Sequence, residues 1–244
     1  MPSELRIAMW SGPRNLSTAL MRSFGNRADT FVTDEPLYAH YLKITHLVHP
    51  GADEVIEKHE TDWRRAVAWL TGPVPEGKAI WYQKHMTHHL LPQIERGWLA
   101  ELTHAFLLRD PRDVLPSLDA KFARPTLADT GMAQQLEIFE LVRKRTGRIP
   151  PVIDASDLLR DPEKLLRALC ERLGIAFEAS MLRWPAGRRP TDGVWAKHWY
   201  QSVEQSTGFT KERARHAELN EHLTGLYEEC LPYYRALHVH RLRI

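Results

Sequence analysis

Ile7-Ala8-Met9-Trp10-Ser11-Gly12-Pro13-Arg14-Asn15-Leu16-Ser17-Thr18-Ala19-Leu20-Met21 begins as an apolar run short enough for a buried strand and turns through Ser-Gly-Pro. Beyond the turn, Leu16, Leu20 and Phe24 recur at helical spacing. A strand that feeds a tight turn into a helix N-terminus makes a natural anion site, because the first-turn N–H groups have no intrahelical partner. Arg14 adds a permanent charge with a fork of donors, and Ser17 and Thr18 add hydroxyls. The plainer alternative is a βα turn whose Ser and Thr cap the helix.

Four further apolar runs read as strands: Thr30 to Thr33, Ala79 to Gln83, Leu102 to Leu108 and Pro151 to Ala155. Between them lie helical patterns at His59 to Leu70, Leu90 to Arg96, Val114 to Lys121 and Thr126 to Arg145. Pro36 suits the first turn of another helix, which puts Glu35 near its N-cap. Asp161-Pro162-Glu163 starts a well-marked helix with Leu165, Leu166, Leu169 and Leu173 as its stripe and Gly174 as its stop. Lys211 to Leu231 reads as the last helix, and Trp184 to Gly208 as a long loop. Strand–helix alternation of this kind implies an α/β fold, one parallel sheet covered by helices on both faces. No linker or repeat divides the 244 residues, so 1–244 reads as a single domain.

Composition bounds the partners. With 33 basic against 31 acidic residues the net charge is +2, which argues against nucleic acid and makes any basic site local. Cys170 and Cys230 form no close-spaced pair, which fits a reducing compartment and excludes a zinc knuckle. The first residues carry no leader pattern and no apolar run approaches a membrane span. A cytoplasmic location without membrane contact is the expectation.

Three ligand-type breaks follow apolar strands: Ser11 to Thr18, Lys84-His85, and Arg109 to Ser117. On a parallel sheet those strand ends lie along one edge and converge on a crevice. Arg109 ends a strand and Ser117 lies on the following helix, so both reach toward one phosphate. These residues resemble the two cofactor motifs of sulfotransferases that use 3′-phosphoadenosine 5′-phosphosulfate (PAPS). Gly12-Pro13-Arg14-Asn15-Leu16-Ser17-Thr18 is similar to the family's 5′-phosphosulfate loop, and Arg109-Asp110-Pro111-Arg112-Asp113-Val114-Leu115-Pro116-Ser117 to its 3′-phosphate motif. Asp154 to Gly174 resembles its late strand–helix unit. Arg14 stands where the family usually has Lys, and Leu16 where it usually has Gly.

The resemblance implies a three-layer P-loop-like fold and sulfuryl transfer from PAPS to a hydroxyl or amine of a small-molecule acceptor. Adenosine 3′,5′-bisphosphate is then the product, and no metal is needed. It implies cofactor binding by Gly12 to Thr18, Arg109 and Ser117, and by a late basic segment carrying Arg188, Arg189 and Lys197. Glu35 resembles the base of the family's glycan branch, His85 is the rival base, and Arg14 and Lys84 would stabilise transferring charge. Trp195 and Trp199 either cover a ligand or pack a corner. His85, His88 and His89 have the spacing of a helical metal site, but no carboxylate accompanies them nearby in sequence. Two other readings stay open: a P-loop kinase with Asp110 on magnesium, although the second Gly and the Lys of that loop are missing, and a non-catalytic nucleotide-binding relative.

Overall fold

The computed structural model describes residues 4–122, 124–210 and 219–244. The five apolar runs become β1 (Leu5–Ser11), β2 (Thr30–Asp34), β3 (Ile80–Met86), β4 (Thr103–Leu108) and β5 (Val152–Asp154). They pair in the order β2-β3-β1-β4-β5, every pair parallel. In the register Met9 lies opposite Lys84 on one side and Ala105 on the other. The ends of β1, β3 and β4 are therefore neighbours, and the three breaks meet at one edge of the sheet.

Side chains alternate across a strand, so each strand feeds two cores. Ile7, Met9, Tyr82, Leu107 and Ile153 pack on one face, under α1 (Ser17–Gly25). Farther along the chain come α2 (Tyr38–Thr45), α3 (Ala52–Lys58) and α4 (Trp63–Leu70), then α5 (Pro111–Asp119), α6 (Leu127–Thr130) and α7 (Met132–Thr146). Next are α8 (Ala155–Arg160), α9 (Pro162–Leu173), α10 (Ala196–Trp199), α11 (Gln201–Glu204) and α12 (Glu221–His238). Residues of α8 and α9 join α1 on the first face. Ala8, Trp10, Trp81 and Phe106 face the other way, against residues of α4, α7 and α12. This is the expected three-layer α/β arrangement.

The α9 caps match the sequence reading: Asp161 accepts from the Lys164 N–H at 3.1 Å, and Gly174 closes the helix at φ 71°. Elsewhere the boundaries move for local reasons. The helix read from His59 starts only at Trp63, because Asp62 caps α4, and the charged stretch before His59 forms a separate helix, α3. Leu90 to Arg96 is turns, with the Arg96 guanidinium collecting the Leu90 and Leu91 carbonyls that a helix would have used. The long helix from Thr126 splits at Gly131, whose φ of 67° ends α6 after a Thr126–Asp129 capping box. α2 starts at Tyr38 with Leu37 as N-cap, so Glu35 is not a helix cap. Residues 211–218 of the proposed last helix lie outside the described residues, and α12 runs on to His238. Among the described residues, no helix is long and apolar enough to cross a membrane.

Candidate active site

The turn after β1 holds two non-glycine residues in the left-handed region, Arg14 at φ 61° and Leu16 at φ 63°. Each costs roughly 1–2 kcal/mol, and the result is a loop whose backbone dipoles wrap a concavity of the kind that accepts an anion. Leu16 thus adopts the conformation that makes Gly the usual choice there. Gly12 does not border the cavity. It lets the Thr130 carbonyl approach so closely that a Cβ would collide with it. The Arg14 side chain reaches across to α5, where its Nε donates to Ser117 Oγ at 2.8 Å. Arg109 Nη1 donates to the Arg14 carbonyl at 3.1 Å, closing the group from the end of β4.

Arg14, Arg109 and Ser117 line a cavity of about 530 Å³, together with Pro13, Asn15, Leu16, Ser17 and Thr18. The same cavity is also walled by rings, among them Tyr38, Tyr41, His89, Phe122 and Trp199. At the floor lies a buried charge cluster. Lys84 Nζ donates to Asp34 Oδ1 at 2.8 Å, Glu35 Oε1 at 2.5 Å and Tyr200 Oη at 2.8 Å. Tyr200 donates in turn to Asp34, 2.7 Å from Oδ2. All three Lys84 N–H bonds are thereby used, so this ammonium holds carboxylates rather than facing the cavity as a free donor. Glu35 is turned inward by a backbone φ of 40° and its side chain keeps 11% exposure. Burial raises its carboxyl above the usual range, with Lys84 opposing and Asp34 reinforcing the rise. The same carboxylates hold Lys84 well above its ordinary value despite its burial.

Strand alternation settles His85. Its ring stacks on Trp10 at 4.5 Å, on the sheet face opposite Tyr82 and Lys84, and it does not line the cavity. The cavity is reached instead by His88 and His89, from the short turn Thr87–His89, and by His49. His85 and the later pair therefore share no helix, contrary to the metal-spacing reading. Burial drives His85 down to about 3, and His88 and His104 to about 4. His89 is held well below its ordinary value, first by burial and then by His88, His49, Lys84 and His85. Unfolded histidines titrate near 6.5. Between that value and about 4 the unfolded chain binds more protons than the folded one, so stability is lost as pH falls through the window. Glu35, with its raised value, acts in the opposite sense as one group against four. Thermal melting at pH 7 and pH 4.5 is expected to show a clear drop in Tm at the lower pH.

The late basic segment behaves differently from its expected role. Asp192 pairs bidentately with Arg22 at 2.5 and 2.6 Å, both side chains buried, and this anchors the segment to α1. Arg188 bonds Glu204, Arg189 bonds carbonyls of its own loop, and Lys197 bonds Glu54. None of the three lines the cavity. Trp195 packs the corner, donating to Tyr200 Oη at 3.2 Å, whereas Trp199 and Tyr200 do line the cavity. Asp110 caps α5 by accepting from the Arg112 N–H at 2.8 Å, which engages the carboxylate that a magnesium site would need. Asp34 and Tyr200 were not visible as site residues in the sequence, since each becomes one only by burial against Lys84.

A family model described as a sulfotransferase domain matches residues 5–241. The chain belongs to the sulfotransferase family. Two curated relatives of this chain come from Arabidopsis thaliana. "Branched-chain-amino-acid aminotransferase-like protein 1" is 41% identical over 239 residues and the corresponding protein 2 is 38% identical over 234, each alignment covering 96% of this chain. The chain spans about two fifths of their length, 42% and 41%. Among solved structures, a sulfotransferase from Alicyclobacillus acidocaldarius aligns over 99% of this chain and 98% of its own, with TM-score 0.52 and 14% identity. The sulfotransferase domain from the curacin biosynthetic pathway aligns over 94% and 98%, with TM-score 0.51 and 14% identity. At that identity the likeness speaks for the fold of this chain alone.

Proposed function

We propose that this sulfotransferase moves a sulfuryl group from PAPS to a hydroxyl or amine of a small acceptor. The observation that carries the reading is the convergence of two loops, about a hundred residues apart in sequence, on one cavity. Arg14 from the first and Arg109 with Ser117 from the second border it together, and Glu35 borders the same cavity. The residues present suit a doubly anionic nucleotide: a left-handed loop with two arginines and several hydroxyls, in a space of ligand size. Gly12 to Thr18 would hold the 5′ end, with Gly12 shaping the loop, and Arg109 and Ser117 the 3′-phosphate. Bound PAPS would supply the activated sulfuryl group, whose sulfur the acceptor oxygen or nitrogen attacks as the bond to the 5′-phosphate breaks.

The chain's own contribution is positioning and proton removal. Lys84 occupies Glu35 Oε1, which leaves Oε2 as the atom to accept the acceptor's proton. Arg14, released from Ser117, is placed to stabilise charge on the phosphosulfate.

Calorimetry without metal is expected to show adenosine 3′,5′-bisphosphate binding, weakened about 10- to 100-fold in Arg109→Ala, as befits loss of charge-assisted bonds. Label from PAPS is expected in at least one of a panel of phenols, alkanols and arylamines. Tight magnesium-dependent ATP binding with no affinity for the bisphosphate would overturn the reading in favour of a kinase. Bisphosphate binding without transfer to any acceptor would instead mark a non-catalytic relative.

A further inference from the structure

His89 stands out among the buried groups that the proposed reaction does not yet use. It lines the cavity with 2% of its surface exposed. Its Nδ1 is buried and has no hydrogen-bond partner, yet lies 4.0 Å from Glu35 Oε2, the same oxygen that Lys84 leaves free. A donor buried without a partner costs about 1–3 kcal/mol, whereas an unsatisfied lone pair is tolerated more readily. The resting imidazole therefore carries its proton on Nε2 and presents a lone pair on Nδ1 to the carboxyl group. Tyr38 lies parallel to the ring at 4.8 Å and Tyr41 is tilted over it at 4.7 Å.

We propose that His89 relays the proton that Glu35 takes from the acceptor, carrying it from the carboxyl group to the open cavity. The inference rests on the sulfotransfer reading and adds a residue to it. In the first step the acceptor O–H bond breaks and its proton joins Glu35 Oε2. A closing of about 1 Å brings Nδ1 to hydrogen-bond distance. The proton passes to the Nδ1 lone pair, Glu35 returns to its ionised form, and the imidazolium releases its other proton from Nε2 to water. That leaves the Nδ1–H tautomer, which gives up this proton to water and takes one back on Nε2 once the product has left, so charge is conserved and no reactant besides water is needed. Burial above all, then His88, His49, Lys84 and His85, disfavour a lasting imidazolium, so the proton stays only briefly. Glu35 and the faces of Tyr38 and Tyr41 stabilise the brief one.

Two measurements test the relay. The first is ¹⁵N NMR of the imidazoles of the wild-type protein, with His89 assigned by the signal missing from His89→Phe or His89→Gln. Protonation on Nε2 at neutral pH is expected, and protonation on Nδ1 would overturn the proposal without any assay of turnover. The second is kinetic, with the best acceptor of the panel. His89→Phe keeps a ring between the tyrosines, and its kcat is expected to fall roughly 100-fold, with acceptor KM and bisphosphate affinity within about twofold. Added imidazole is expected to restore turnover to His89→Ala, which leaves room for it, but not to His89→Phe. Wild-type turnover in His89→Phe would sink the relay while leaving sulfotransfer intact. A wild-type protein that transfers nothing would instead count against the reading on which the relay is built.

Discussion

Glu35→Gln is expected to lower kcat about a thousandfold while leaving affinity for adenosine 3′,5′-bisphosphate within about twofold of wild type. The amide has the size of the carboxylate and can still accept from Lys84 through its oxygen, so the buried cluster persists. What it lacks is a second oxygen able to take a proton. Glu35 is suited to that task because burial raises its carboxyl and makes the ionised form a stronger base, while Lys84 opposes the rise. The acid limb of the wild-type kcat profile should accordingly lie above 4.5, the ordinary value for this group, with activity lost as pH falls and Glu35 protonates. Single-turnover transfer of label from PAPS measures the chemical step directly. A rate within threefold of wild type would remove Glu35 from the mechanism and leave the proton to another group lining the cavity.

The second large effect concerns stability. Lys84→Met is expected to destabilise the fold by about 3–5 kcal/mol, the usual cost of removing one partner from a buried ion pair. The side chain is fully buried and bonded to two carboxylates and a phenol, so its loss leaves Asp34 and Glu35 together with no cation between them. In that variant Glu35, raised by burial and no longer opposed by Lys84, binds a proton more readily folded than unfolded. Its deficit relative to wild type should therefore shrink as pH is lowered toward 5. Urea unfolding at pH 8 and pH 5 measures both quantities. Neutralising the partners as well, in Lys84→Met with Asp34→Asn and Glu35→Gln, should recover much of the loss, because a buried pair replaced as a whole is often neutral. A single Lys84→Met variant as stable as wild type would mean that the ammonium is dispensable to the fold and open to the sulfuryl-stabilising role that its position in the sequence suggests.

Much of the framework was legible in the chain. Apolar runs of four to seven residues, most of them cut off by Gly, Pro or charge, suit strands buried on both faces of a parallel sheet, and all five strands formed in that way. Asp161, Pro162 and Gly174 marked the ends of α9 because capping is local chemistry, decided by neighbours in sequence. The helical stretches at Leu90 to Arg96 and Thr126 to Arg145 misled for a related reason: a side-chain bond from Arg96 and the left-handed Gly131 overrode a pattern of apolar spacing. The candidate site divides along the same line. Arg14 and Arg109 belong to loops that follow strands, with Ser117 on the helix after the second, and a parallel sheet brings such loops to one edge whatever else the chain does.

Other assignments needed the assembled molecule. Whether Lys84 or His85 meets the cavity depends on the face each takes on β3, and one residue of register reverses the answer. Arg188, Arg189 and Lys197 carry the right charge for a phosphate, but nearby acids and carbonyls claim them once the segment docks through Asp192 on Arg22. Periodicity and capping, which act over a few residues, were enough to specify the sheet, its edge and the two arginine loops. The buried cluster of Lys84, Asp34, Glu35 and Tyr200, and the orphaned nitrogen of His89 beside it, came from packing between distant segments. Their chemistry arises from the removal of water, which no stretch of sequence accomplishes alone.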